Sequence, residues 1–303
     1  MSKIAKGTIL TLVAGIAWGL SGTSGQYLMA HGFPVLVLTN VRLLIAGALL
    51  VLYMVLANRR KLIEMIKDRK AIMSLALFAL LGLLLNQFAY LKSIYESNAG
   101  TATVLQYVCP VGILAYTCIK DRVAPTVTEV LSMILAVGGT FLIATHGQLN
   151  QLSVTPAGLF WGLFAAFTYA LYILIPIQLI KAWGSIPVIG VGMMLAGIVL
   201  TPFSDVLRFH WQLSMEVYLA LAGIILVGTI IAYTLFLKGT SLVGPVKSSL
   251  LAAVEPISAV FFAFLIMHEQ FYFLDFVGMF MILSAVALIS IKDLILEKRK
   301  GIL

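Results

Sequence analysis

A carboxylate and a guanidinium set deep within apolar runs are the first residues of this chain whose chemistry asks for an explanation. Glu255 lies roughly 11 residues, or about 16 Å of helical rise, inside its run, and an uncompensated charge at that depth costs at least about 2.5 kcal/mol. It must therefore be protonated, paired or turned toward a cavity. As a functional group it would sense a proton or a cation along a transport path. As a structural group it would be a buried partner for Arg42, or an acceptor capping the helix beside Pro256. Arg42 lies about 12 Å inside its own run. Its fork suits a substrate carboxylate, or it is fixed by Glu255 or by carbonyls freed near a bend.

Polar and aromatic residues recur at helical spacing around these two. Ala102, Gln106 and Cys109 stand at i, i+4 and i+7, as do Ser248, Ala252 and Glu255, so two segments each present one small or polar face. Pro110 and Pro256 each remove a backbone hydrogen bond, which bends a helix and frees a carbonyl. Ala14, Trp18, Ser21, Gly22 and Gly25 share one side of the first run, while Trp161, Ala165, Thr168 and Tyr172 share one side of another. Asn86 and Tyr90 have counterparts in Thr229 and Tyr233. Small residues make room and rings supply walls, as a pocket for a flat or partly apolar solute requires. The expected substrate-binding set is Trp18, Gly22, Arg42, Tyr90, Gln106, Trp161, Tyr172, Tyr233 and Glu255. Trp161 also falls where interfacial aromatic belts occur without any binding role.

Other chemistry is poorly supplied. Glu129 and Asp275 fall near helix starts, where a carboxylate complements the positive helix end. His31, His146, His210 and His268 fall at span ends without metal-ligand spacing. No Gly-rich phosphate loop with Gly-Lys-Ser/Thr occurs, and neither a nucleophile–base set nor a metal cluster suggests an enzyme. No cofactor or metal is expected.

The elements that position these residues are read from composition. The chain is 61% hydrophobic and 11% charged, against about 25% charged for a soluble domain. Ten runs, at 7–29, 34–57, 72–91, 97–119, 125–145, 156–180, 186–204, 215–237, 243–267 and 270–291, are mostly long enough to cross a roughly 30 Å hydrocarbon layer as helices. The expected fold is therefore an all-α integral membrane protein of ten transmembrane helices. The first run is long and has no clear cleavage site, so it is expected to remain in the mature chain. Cys109 and Cys118, about 13 Å apart in helical rise, cannot bridge. The net charge of +8 sits in short gaps between runs and builds no nucleic-acid face. Of the 20 Lys and Arg, only Lys92 and Arg208 fall outside and Arg42 within a span if the N-terminus is inside. Both termini are therefore placed in the cytoplasm.

A duplication organises the whole. Leu91 to Ala144 lies over Leu237 to Ser290 at a constant offset of 146, with Leu91-Lys92 on Leu237-Lys238 and Cys109-Pro110 on Glu255-Pro256. Gly7 to Gly19 lies more loosely on Gly158 to Ala170, which sets Trp18 on Tyr169; Arg42 falls on Gly192. Five spans per half invert the second copy, giving halves 1–148 and 149–303 and a midplane site between them.

Ten spans in two inverted halves, Ala17-Trp18-Gly19, Arg42, and Glu255-Pro256 followed by Glu269 and Gly278 resemble the EamA branch of the drug/metabolite transporter superfamily, over essentially the whole chain. The resemblance implies a secondary carrier of small metabolites with a central cavity built from both halves; relatives export amino acids or carry other metabolites, including choline. Two positions depart from that pattern. Cys109 stands where the second copy has Glu255, and Lys120-Asp121-Arg122 lacks the acidic residue that the second copy supplies as Glu269. At most one central carboxylate argues against obligatory multi-proton coupling. Expected is an exporter of amino acids or related zwitterions working by alternating access, its partners a small-molecule substrate, a proton or counter-solute, and the lipid bilayer. Efflux of lipophilic or quaternary cations, which aromatic walls and one carboxylate would also suit, is the alternative.

Overall fold

Where no water can satisfy backbone amides, an apolar chain must close its hydrogen bonds within each segment, and helices do so. The computed structural model describes residues 2–97, 99–145, 155–210, 214–267 and 272–299, and among them every regular element is helical. Eight helices are long and apolar enough to cross a membrane: Lys3–Ala30 (α1), Val35–Lys67 (α2), Arg69–Glu96 (α3), Thr101–Asp121 (α4), Pro156–Trp183 (α6), Ser185–Phe203 (α7), Met215–Val243 (α8) and Pro245–Ile266 (α9). Val127–Thr145 (α5) and Phe273–Arg299 (α10) carry shorter apolar stretches, Val127–Ile143 and Phe273–Ile289, each about 25 Å long at 1.5 Å per residue. Among the described residues, eight of the ten expected runs thus fall on helices long enough to span, and the other two, 125–145 and 270–291, on helices with shorter apolar stretches.

The polarity is that of a protein whose solvent is lipid. Large apolar side chains such as Leu52, Leu56, Phe160, Phe167 and Phe280 face outward, whereas Thr11, Arg42, Asn86, Gln87, Gln106 and Glu255 are buried. Small residues draw the helices together. A Cβ on Gly47 of α2 would lie 2.5 Å from the Met194 amide nitrogen of α7, and one on Gly139 of α5 would lie 2.6 Å from the Gly278 carbonyl of α10. Packing partners exchange between the halves: α1 lies on α8 and α9, α6 lies on α3 and α4, α2 on α7, and α5 on α10.

Four irregularities fall in pairs. Helix α3 contains π-helical turns over Phe78–Leu84, and α8 contains them over Gly223–Ile231. Helix α4 is interrupted at Tyr107 and Val108, and α9 at Ala252 and Ala253. The breaks fall two to four residues before Pro110 and Pro256, because a proline's effect reaches back toward the carbonyl four residues earlier. A further kink at Asn58 (φ −159°, ψ 66°) bends α2 at the edge of its apolar run. The Asn58 side chain then accepts from the Lys61 amide at 3.1 Å and starts the polar continuation.

Candidate functional site

Seven helices bring polar groups to one central cavity of about 30 Å³: Trp18 and Ser21 from α1, Arg42 from α2, Asn86, Gln87 and Tyr90 from α3, Gln106 from α4, Tyr169 from α6, Tyr233 from α8 and Glu255 from α9. That volume holds roughly one or two waters and is far below a metabolite pocket of about 300 Å³ or more.

Arg42 is held by the irregular part of α8. Its Nε donates to Thr229 Oγ1 at 2.6 Å and its second guanidinium nitrogen to Ser21 Oγ at 3.2 Å and the Gly228 carbonyl at 3.3 Å. Thr229 in turn donates 2.6 Å to the Ile224 carbonyl five residues back, in step with the wider π turn. That turn leaves carbonyls outside the usual ladder, which is where a guanidinium finds acceptors. The Arg42 guanidinium also lies 5.6 Å from the Tyr233 ring centre.

Glu255 opens the second part of α9, just beyond the break. Ser258 fixes this turn against α1 by donating to the Ile16 carbonyl at 3.1 Å, and it lies 3.0 Å from the Glu255 carbonyl. The close approach needs Gly19, where a Cβ would collide with the Ser258 hydroxyl. Tyr107 Oη lies 3.5 Å from the Glu255 carboxylate and donates a shorter bond to the Ala252 carbonyl. Among the described residues no ion pair joins Arg42 to Glu255.

Of the nine expected site residues, Trp18, Arg42, Tyr90, Gln106, Tyr233 and Glu255 line the cavity. Gly22 borders it by leaving room for Tyr90, whose hydroxyl would lie 3.3 Å from a Cβ there and which pairs with Thr103 at 3.2 Å. Tyr172 stands behind the lining, fully buried against Tyr233, Trp18 and Phe78. Trp161 is elsewhere, in an edge-to-face group with Phe88 and Phe160. Glu269, His146 and His268 lie outside the described residues. Gln87 was not expected in the lining, yet it reaches the cavity, and its amide oxygen and nitrogen have no partner among the described residues. The visible signal was an Asn-Gln pair inside an apolar run, where side-chain amides are costly unless used.

Among the described residues no three His, Cys, Asp or Glu gather as a metal site. The arrangement is a small polar chamber to which a guanidinium from α2, a carboxyl group from α9 and several aromatic rings contribute.

Comparison with known proteins agrees with this architecture. The sequence model of the EamA-like transporter family matches residues 5–145 and again 156–291. An uncharacterized inner membrane transporter of Salmonella typhimurium, YicL, is 36% identical over 96% of this chain and 97% of its own length. An uncharacterized transporter of Bacillus subtilis, YwfM, is 25% identical over 83% of this chain and 82% of its own. A solved crystal structure superposes with a TM-score of 0.76 over 97% of this chain and 99% of its own at 14% identity, a likeness of fold alone. Its apolar helices and the double match across nearly its whole length make this chain a multi-pass integral membrane protein that belongs to the EamA-like transporter family.

Proposed function

We propose that the protein is a secondary active transporter that exports amino acids or related zwitterions by alternating access. The observation that carries this reading is that Arg42 and Glu255 face one cavity without pairing with each other. A zwitterion presents a carboxylate to the guanidinium and an ammonium to the carboxylate. A quaternary cation would use Glu255 and the rings but would meet Arg42 as a like charge, which favours the zwitterion.

The movement follows from an inverted duplication of halves 1–148 and 149–303, both termini cytoplasmic. The exchange of packing partners, the paired π turns and the paired helix breaks support that reading. A chamber of about 30 Å³ must open on one side to admit a solute, and the breaks in α4 and α9 are where helix halves can swing.

The test is a thermal-shift screen of the purified protein with neutral and aromatic amino acids and quaternary ammonium compounds, followed by counterflow in proteoliposomes. A ligand at 100 times its Kd stabilises by about 2.7 kcal/mol. Stabilisation by amino acids that disappears in Glu255→Gln, together with saturable counterflow, is the expected result. Stabilisation by quaternary cations alone would replace the zwitterion reading with cation efflux.

A further inference from the structure

Away from the central chamber, a groove of about 460 Å³ opens beside the α2 kink, between α2, the α6–α7 turn and α8. Lys61 of α2 and Lys238 of α8 both line its polar end, together with Trp183 from the end of α6. One turn or two deeper, Met54, Ile186 and Leu235 make the lining apolar. No acidic side chain lines the groove, and neither lysine forms an ion pair among the described residues. The neighbouring Glu64 is held by Arg60 at 2.8 Å.

A third positive element meets the two lysines. Helix α7 starts at Ser185 with Gly184 as its cap and no side-chain acceptor for its first amides. Gly184 has φ +87°, and a Cβ there would lie 3.9 Å from Lys61 Nζ. Bringing an ammonium to the positive end of a helix is unfavourable unless an anion joins them. On α2 the lining residue Tyr53 is 54% exposed and adjoins Leu52 and Leu56, 54% and 78% exposed on the outward face. Basic at one end and continuous with the lipid-facing surface at the other, the groove matches an amphiphile and not a free inorganic anion.

We infer that this groove is a binding site for an anionic phospholipid, its phosphate seated between Lys61, Lys238 and the start of α7, and its acyl chain along Met54 and Leu235. The inference needs the chain to be in a membrane and does not depend on what the central chamber carries.

The test uses the purified full-length protein in detergent and measures tryptophan quenching by brominated-chain phosphatidylglycerol and phosphatidylcholine. Subtracting Trp183→Phe isolates the signal from this groove. Two lysines at the headgroup give an expected preference for the anionic lipid of about tenfold or more. Lys61→Ala/Lys238→Ala should abolish that preference, and Lys61→Arg/Lys238→Arg should keep it. Equal quenching by both lipids, or a preference that survives the double alanine variant, overturns the site. Displacement of the brominated phosphatidylglycerol by millimolar inorganic phosphate also overturns it, by reassigning the groove to soluble anions.

Discussion

The hydroxyl of Tyr107, at the break in α4, donates a hydrogen bond to the carbonyl of Ala252, at the break in α9. Ala252 is the residue whose helical donor would be the amide of residue 256, and residue 256 is proline. The Glu255 amide takes up part of the vacancy at 2.8 Å, and the tyrosine from the other half takes the remaining lone pair. One broken helix thus completes the backbone of the other, beside the Glu255 carboxylate that lines the chamber.

Tyr107→Phe removes that donor while keeping the ring. The expected loss is that of one net buried hydrogen bond, about 0.5–1.5 kcal/mol, read as a lower thermal unfolding midpoint in detergent. Val108→Ala, a substitution at the exposed side of the same break, should leave the midpoint nearly unchanged. Equal effects of the two would mean that the hydroxyl does not join the breaks.

Arg42→Ala deprives Thr229, Ser21 and the Gly228 carbonyl of their donor, and bonds to a charged group are worth about 1.5–3 kcal/mol each. Arg42→Lys keeps the charge but not the fork, so it should be destabilised as well. Because Glu255 is not among these partners, adding Glu255→Ala should not restore the Arg42→Ala protein. Denaturation midpoints of the two single variants and the double decide the matter, and recovery in the double would mean that the charges pair directly.

Much of this arrangement was legible in the sequence for a physical reason: in lipid, apolar length dictates helices, so the all-helical fold and the order of its eight long apolar helices follow from composition. The bends were legible too, because Pro110 and Pro256 announce them. The identity of the group that meets a freed carbonyl was not, since Tyr107 lies off the Ala102–Gln106–Cys109 face and its counterpart in the second copy is Ala253. The π turns of α8 left no recognisable mark in Gly223–Ile231, so the acceptors of Arg42 could be foreseen only as carbonyls near some bend. Trp161 shows the converse limit. Helical periodicity placed it on the same side as Tyr172, but a helix face three turns long reaches both the chamber and its rim, and Trp161 is too far along it.

Glycine positions separate contact from composition. Gly47→Ala would push a methyl into the Met194 backbone, which cannot rotate away, so α2 and α7 must part at a cost of about 1–3 kcal/mol. Gly112→Ala on α4 meets nothing within 4 Å and should be neutral or slightly stabilising, since alanine is the better helix former. Thermal midpoints of the two variants test the assignment, and an undisturbed Gly47→Ala protein would deny the close helix contact.

Gln87 gives the sharpest division between stability and use. Its amide is buried in the chamber wall with neither atom partnered among the described residues, a condition that costs about 1–3 kcal/mol. A group retained at that cost is explained if a solute supplies the missing donor and acceptor. Gln87→Leu, similar in size and free of polar atoms, should therefore unfold at the wild-type temperature or above it while solute counterflow falls about tenfold or more, the loss expected when a bound polar group goes unanswered. A variant that is less stable yet transports normally would show that Gln87 supports the fold and does not touch the solute.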